Sequence, residues 1–200
     1  RDGDLDIYLL MNRVMENGEI REDRRTYVEK GVPRLRPDAE VFYERFTDPQ
    51  GIVWMGRPDR LLRNNGPDQP FTDASDAMQI RRGDGLSATW LDYDHDGWPD
   101  LYVANDFGAP DALHHNNRDG TFTDVTLDLL PHLPWTSMGS CAGDVNNDGI
   151  VDILGTDMSF TTHFKDKVFM GNMETRFNET EYYPHIQLPR NDLFINTGLG

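Results

Sequence analysis

The sequence predicts an all-β chain built from a unit that recurs about every 50 residues. Three recurrences carry that reading. The acidic run Asp92-Tyr93-Asp94-His95-Asp96-Gly97-Trp98-Pro99-Asp100 returns 52 residues on as Asp144-Val145-Asn146-Asn147-Asp148-Gly149-Ile150-Val151-Asp152. Pro58–Gly66 returns at the same interval as Pro110–Arg118, and Asn191–Gly198 is a third version. Phe71-Thr72-Asp73-Ala74-Ser75 is matched by Phe122-Thr123-Asp124-Val125-Thr126. One unit reads as short strand, acidic loop, strand, turn, strand, Asn/Gly turn, strand. Four short antiparallel strands in such a span are the size of a propeller blade. The expected architecture is a partial β-propeller of about three four-stranded blades, with hairpins closed by the acidic loops and two inserts.

The elements follow in chain order. Residues 1–6 read as positions 4 to 9 of a further acidic loop, with Asp2 at position 5, Gly3 at 6, Asp4 at 7 and Asp6 at 9. Ile7-Tyr8-Leu9-Leu10 is then the strand that follows. Blade 1 covers about residues 1–75 and is interrupted by an insert, 12–56. That insert is charged at Arg21-Glu22-Asp23-Arg24-Arg25 and contains helical pieces such as Asp38–Arg45. Blade 2, about 84–126, enters its loop through Ser87-Ala88-Thr89-Trp90-Leu91. It leaves through Leu101-Tyr102-Val103-Ala104, which is β-branched and aromatic and too short for a helix. Asp119-Gly120 is a strong hairpin-turn dipeptide. Blade 3, about 137–200, enters through Gly139-Ser140-Cys141-Ala142-Gly143, leaves through the weaker strand Ile153-Leu154-Gly155-Thr156, and carries the second insert, 158–189. Both ends cut through a unit, so 1–200 reads as part of one propeller domain, truncated at both ends. Its open edges require the remaining blades or a partner. The inserts occupy equivalent places in successive repeats and should emerge from one face. Long loops on a rigid scaffold often carry recognition, so the inserts are the candidate surfaces for a protein or carbohydrate ligand.

The acidic loops have the chemistry of a hard-cation site. Ca²⁺ takes about six to eight oxygen ligands at roughly 2.3–2.6 Å. Positions 1, 3 and 5 turn side-chain oxygens toward one centre. Glycine at 6 allows the sharp turn that presents the carbonyl at 7, and the aspartate at 9 closes the cage. The candidate ligands are Asp92, Asp94, Asp96, the Trp98 carbonyl and Asp100, then Asp144, Asn146, Asp148, the Ile150 carbonyl and Asp152. Asp2, Asp4 and Asp6 form a partial third set. Mg²⁺ is seldom given an all-protein cage, and zinc favours Cys and His. An EF-hand needs Glu at position 12 and flanking helices. Val103 and Gly155 stand there instead, followed or preceded by strand sequence. Asp-rich turns without metal are the plain alternative, but such carboxylates repel one another, and two matching copies argue against it.

Composition narrows the partners. A formal net charge of −16 and a pI near 4.6 exclude a nucleic-acid surface, which needs basic groups. No apolar run is long enough for a membrane-spanning helix. Cys141 is the only cysteine, so no intrachain disulfide forms.

The acidic loop followed by Asp100-Leu101-Tyr102-Val103-Ala104-Asn105, by Asn116–Thr126 and by Thr136-Ser137-Met138-Gly139 resembles the FG-GAP/VCBS repeat proteins. Among them are the integrin α-subunit propeller and, more closely, bacterial proteins related to cartilage acidic protein that carry an ASPIC/UnbV region. The resemblance implies a propeller, usually seven-bladed, with Ca²⁺ in hairpin loops between the first two strands of a blade. It implies export to the periplasm, cell surface or medium, and roles in adhesion and binding. An ASPIC/UnbV region would lie beyond this chain.

An enzyme is not expected. The histidines show no metal-ligand spacing, and His114 and His115 point to opposite faces of a strand. His163 and His185 read as surface residues of the second insert. Gly139–Gly143 has the outline of a nucleophile elbow with Cys141 at its centre, but an elbow needs a strand-to-helix turn and this segment runs into an acidic loop. Asn178-Glu179-Thr180 is a glycosylation sequon only in a glycosylating host. The expected function is therefore a non-catalytic binding, adhesion or scaffold module with structural calcium. The alternatives are the propeller of a polysaccharide lyase or hydrolase and a subunit of a larger surface assembly, since fold alone does not decide function.

Overall fold

The computed structural model describes residues 5–11, 26–29, 32–35, 46–48, 51–53, 58–78, 80, 84–106, 110–158, 187–188 and 190–198. The strands are β1 (Ile7–Leu9), β2 (Thr26–Glu29), β3 (Val32–Leu35), β4 (Phe46–Asp48), β5 (Gly51–Val53), β6 (Arg60–Arg63), β7 (Thr72–Asp73), β8 (Asp84–Leu91), β9 (Asp100–Asp106), β10 (Ala112–Asn116), β11 (Phe122–Asp124), β12 (Leu133–Pro134), β13 (Ser137–Gly143), β14 (Asp152–Asp157), β15 (Gln187–Leu188) and β16 (Asp192–Phe194). Helix is confined to a 3-10 turn at Ser75–Ala77 and a single α turn, α1 (Thr126–Leu129), among the described residues. The protein is all-β, as the alternation and the turn residues predict.

Three antiparallel sheets repeat one plan. The second sheet is a complete four-stranded meander, β8-β9-β10-β11. The first, β1-β6-β7, contains its second, third and fourth strands, and the third, β13-β14-β16, its first, second and third. The sheets thus show one four-stranded and two three-stranded members among the described residues, where four strands each were expected. Outside this plan, β2-β3 and β4-β5 are small hairpins in the first insert, and β12 pairs with β15 in parallel. The expected helical piece Asp38–Arg45 lies outside the described residues, as do His163, His185 and Asn178–Thr180.

Equivalent registers make the repetition exact in detail. The first strands of the second and third sheets carry a bulge at the same place, between Gly85 and Ser87 and between Ser137 and Gly139. The extra residue re-aims the strand without disturbing the alternation beyond it. A polar residue just before each third strand ties back to the second strand or to the residues that follow it. Asp59 accepts the Met11 N–H at 2.6 Å and the Tyr8 hydroxyl at 2.9 Å. Asp111 accepts the Asn105 N–H at 2.9 Å and the Tyr102 hydroxyl at 2.5 Å. Asn191 stands in the third copy and accepts the Asp157 N–H at 2.8 Å.

Neighbouring sheets meet through their inner strands. Ser140 on β13 contacts Ser87 and Thr89 on β8 at 3.0 and 2.7 Å, and the Ser137 hydroxyl donates to Asp111 at 2.6 Å. Two apolar cores fill the space between sheets. One centres on Leu61, Met78, Leu101 and Val103, with Phe122 against it. The other centres on Tyr102, Leu113, Leu130, Leu133 and Ile153, with Phe194 against it. Each buried apolar side chain of this size stabilises by about 1.5–3 kcal/mol.

Candidate metal centre

Both acidic loops adopt one backbone path between the first and second strands of their sheets. In the first, the position-4 residue His95 (φ 59°) and Gly97 (φ 82°) take left-handed conformations. In the second, Asn147 (φ 61°) and Gly149 (φ 87°) do the same. Glycine at position 6 meets this demand without a Cβ penalty, and Asn is among the residues that tolerate it.

The path turns side-chain oxygens inward and holds them with backbone donors. Asp92 accepts the Asp96 N–H at 3.0 Å and the Gly97 N–H at 2.9 Å. Asp94 accepts the Asp96 N–H at 3.1 Å, and Asp96 accepts the Trp98 N–H at 2.7 Å. The second loop repeats the pattern atom for atom. Asp144 accepts from Asp148 and Gly149 at 3.1 and 2.8 Å, Asn146 from Asp148 at 3.0 Å, and Asp148 from Ile150 at 2.8 Å.

Position 9 anchors the loop to an asparagine at the end of the third strand or just beyond it. Asp100 receives the Tyr93 N–H at 3.2 Å and the Asn116 N–H at 2.8 Å. Asp152 receives the Val145 N–H at 2.9 Å and the Asn196 N–H at 2.8 Å. Asp6 receives the Asn64 N–H at 2.8 Å. The same asparagines reach the carbonyl before position 9, namely Leu5, Pro99 and Val151. Asp6 therefore occupies the place that the numbering of the partial loop gave it. Asp2 and Asp4 lie outside the described residues.

The first loop brings Asp92, Asp94 and Asp96 together, with one oxygen of each within 4.8 Å of the others. A second overlapping group joins Asp94, Asp100 and His115 under the same limit. This donor set fits a hard divalent cation, being rich in carboxylate with backbone carbonyls nearby. The ligand atoms of Trp98 and Ile150 would be their carbonyl oxygens.

Two residues of this centre were not read from the sequence as parts of it. His115 Nδ1 lies 3.5 Å from Asp94 and 3.4 Å from Asp100. No metal-ligand spacing in the sequence marks it, yet the β9–β10 pairing carries it to the loop while His114 is buried on the other face. Arg118 contacts Asp96 through Nε and a terminal nitrogen, both at 2.6 Å. It takes the position that Gly66 and Gly198 hold in the other units and shares their positive φ, at 67°. The signal was in the alignment of the repeats, where a cation replaces two glycines beside an acidic loop.

The electrostatics follow from this crowding. Burial pushes Asp100 up to about 6, against the pull of the Asn116 and Tyr93 N–H donors. Burial raises Asp96 as well, but the Trp98 N–H and Arg118 outweigh it and hold the carboxyl below its usual range. Tyr93 is pushed to about 12 by burial and by the charges of Asp100, Asp94 and Asp96. A negative field of this kind attracts a cation.

Residues 92–155 match the family model described as the FG-GAP-like repeat. The match opens on Asp92 and runs past Asp152, so it takes in both acidic loops and the whole of β9, β10, β11 and β13. Comparison with curated proteins and with solved structures returns no match. Cys141, exposed on β13, lies in a strand that runs into the second acidic loop and not in a strand-to-helix turn. No helix among the described residues is long and apolar enough to cross a membrane.

Proposed function

We propose that this FG-GAP repeat protein is a calcium-stabilised propeller segment that serves as a non-catalytic binding, adhesion or scaffold module outside the cytoplasm. The observation that carries the proposal is the atom-for-atom equivalence of the two loops. Position 1 is held by the N–H groups of positions 5 and 6, and position 9 by an asparagine N–H at or just beyond the end of the third strand, in both copies. Ligands are Asp92, Asp94, Asp96, Asp100 and the Trp98 carbonyl in one site, and Asp144, Asn146, Asp148, Asp152 and the Ile150 carbonyl in the other. Asp2, Asp4 and Asp6 contribute to a third.

When bound, Ca²⁺ neutralises the facing carboxylates. The chain's own residues do the rest: glycines set the loop path, and position-9 aspartates tie the loop to those asparagines. The three repeated sheets are proposed as successive blades, with the inserts 12–56 and 158–189 as the surface for a protein or carbohydrate ligand. The finer likeness to bacterial proteins related to cartilage acidic protein, with or without an ASPIC/UnbV region, is part of the same proposal.

Thermal denaturation with and without a chelator tests it. With free Ca²⁺ at about 100 times the dissociation constant, each site adds about 2.7 kcal/mol. EDTA should therefore lower the melting temperature by several degrees. An unchanged transition on chelation would reject structural calcium.

A further inference from the structure

We propose that His115 makes the first acidic loop, and not the second, a site for a zinc-class divalent cation, held by His115, Asp94 and Asp100 in competition with calcium. The inference rests on the cation-binding reading of the loops given above and adds the class of ion that one of them takes. Calcium is served by oxygen donors alone, whereas an imidazole nitrogen among carboxylates suits zinc and its neighbours in the first transition row. The fold brings such a nitrogen to the first loop from outside it, on β10.

Distances carry the argument. His115 Nδ1 stands 3.5 Å from Asp94 Oδ2 and 3.4 Å from Asp100 Oδ1. Both separations exceed the roughly 2.7–3.2 Å of an N–H···O hydrogen bond. They match the spacing of two ligands on one ion. With metal–ligand bonds of about 2.0–2.2 Å, neighbouring ligands of a tetrahedral zinc lie about 3.3–3.6 Å apart. Three protein ligands suffice, with water in the fourth place. The ligand atoms of Asp94, Asp100 and His115 all lie within 4.8 Å of one another. Asp94 has Oδ2 to offer, since its Oδ1 accepts the Asp96 N–H. The N–H groups of Tyr93 and Asn116 hold Asp100 in place. Arg118 sits on Asp96, which is outside this trio. The side chains of His115 and Asp94 are 25% and 27% exposed, so an ion can reach the trio from solvent.

The second loop is the control within the same molecule. Its backbone path and its position-1 and position-9 bonds are those of the first loop. Three side chains differ in concert. Ile195 stands where the first loop has His115, Val145 where it has Tyr93, and Asn146 where it has Asp94. Tyr93 packs edge-on against His115, with ring centroids 5.9 Å apart and planes at 70°, and its hydroxyl lies 3.4 Å from Nδ1. Outer contacts that fix the orientation of a ligating imidazole are part of such sites. The nitrogen, the ring that orients it and the carboxylate at position 3 therefore occur together at the first loop, and none of them at the second. The second loop keeps oxygen donors alone and with them the preference for a hard ion. Asp94 and Asp100 also belong to the calcium set of the first loop, so the two ions exclude each other there.

The test uses the chelator-stripped 200-residue chain, with Zn²⁺ and Ca²⁺ as the probes. Titration calorimetry follows zinc affinity, equilibrium dialysis follows bound calcium, and imidazole ¹⁵N resonances locate the zinc. Zinc should shift the Nδ1 signal of His115 and displace the calcium of the first loop while that of the second stays. His115→Ile, which copies the second loop, should bind zinc at least about tenfold more weakly. Amide exchange in β8–β10 checks that this variant keeps its fold, and His115→Gln, which should weaken zinc likewise, replaces it if it does not. Asp148→Ala should lose the calcium of the second loop and keep the zinc affinity of the parent chain. Calcium retained at both loops in excess zinc, an unshifted His115 signal, or equal zinc affinity in the folded His115 variant would overturn the zinc site and leave the calcium reading standing. Absent calcium uptake by the unaltered chain fails the calcium reading, and the competition proposed here with it.

Discussion

Replacing Asp111 by Asn should flatten the pH dependence of stability. Asp111 is fully buried and accepts hydrogen bonds from Tyr102, Ser137 and the Asn105 N–H. Burial nevertheless raises its carboxyl to about 7, with those donors opposing and Asp157 adding to the rise. The folded state therefore favours the protonated acid. Its contribution is fully present below the unfolded value of 3.8 and is lost as pH climbs through about 7. At about 1.4 kcal/mol per unit, that removes roughly 2–3 kcal/mol between about pH 5 and pH 8. The repeat contains the control for the substitution, because Asn191 fills the same position and makes the same backbone bond at 2.8 Å. The Tyr102 and Ser137 hydroxyls can rotate to accept from the new amide. The assay is urea denaturation of both proteins at pH 5 and pH 8, at one fixed calcium or chelator concentration. The native protein should lose more stability than Asp111→Asn over that interval, by about the amount above. Parallel pH profiles, or a variant that loses more at pH 8, would refute the argument.

Other consequences follow from the loops. Gly149 has φ +87° and open space around an added Cβ, so Gly149→Ala should cost about 1–2 kcal/mol through backbone strain alone. Denaturation midpoints equal to the parent protein's would contradict that. Arg118 occupies Asp96, a proposed ligand in the first loop, whereas Gly198 stands at the equivalent place beside the second loop. Arg118→Gln should therefore tighten calcium binding at the first loop several-fold and leave the second unchanged, as read by titration calorimetry. Weaker or unchanged binding at the first loop would remove the role given to Arg118.

How much of this was legible in the sequence depends on the kind of interaction. The strands around the loops were readable because β-branched and aromatic residues sit between Asp, Asn and Gly turns at a fixed interval. Leu101–Ala104 lies inside β9, and even the weaker Ile153–Thr156 lies inside β14. Asp6 accepts the Asn64 N–H as Asp100 and Asp152 accept from Asn116 and Asn196, a place in the repeat that the spacing of the sequence defines. The buried ties were not readable. Asp59 and Asp111 looked like repeat markers, yet each is a buried acid held by a tyrosine 51 or 9 residues away. Such pairs depend on which strand edges meet, and hydrophobic alternation carries no record of that. His115 escaped for the same reason. The turn α1 and the parallel pairing of β12 with β15 arise from packing between sheets, which a repeat pattern does not encode.

Calcium stoichiometry tests the central claim most directly. Equilibrium titration of the chelator-stripped chain should show calcium bound at both complete loops, Asp92–Asp100 and Asp144–Asp152. Asp96→Ala and Asp148→Ala should each remove one ion, and the double variant both. Calcium uptake that is absent, or that stays the same in Asp96→Ala and Asp148→Ala, would contradict the account.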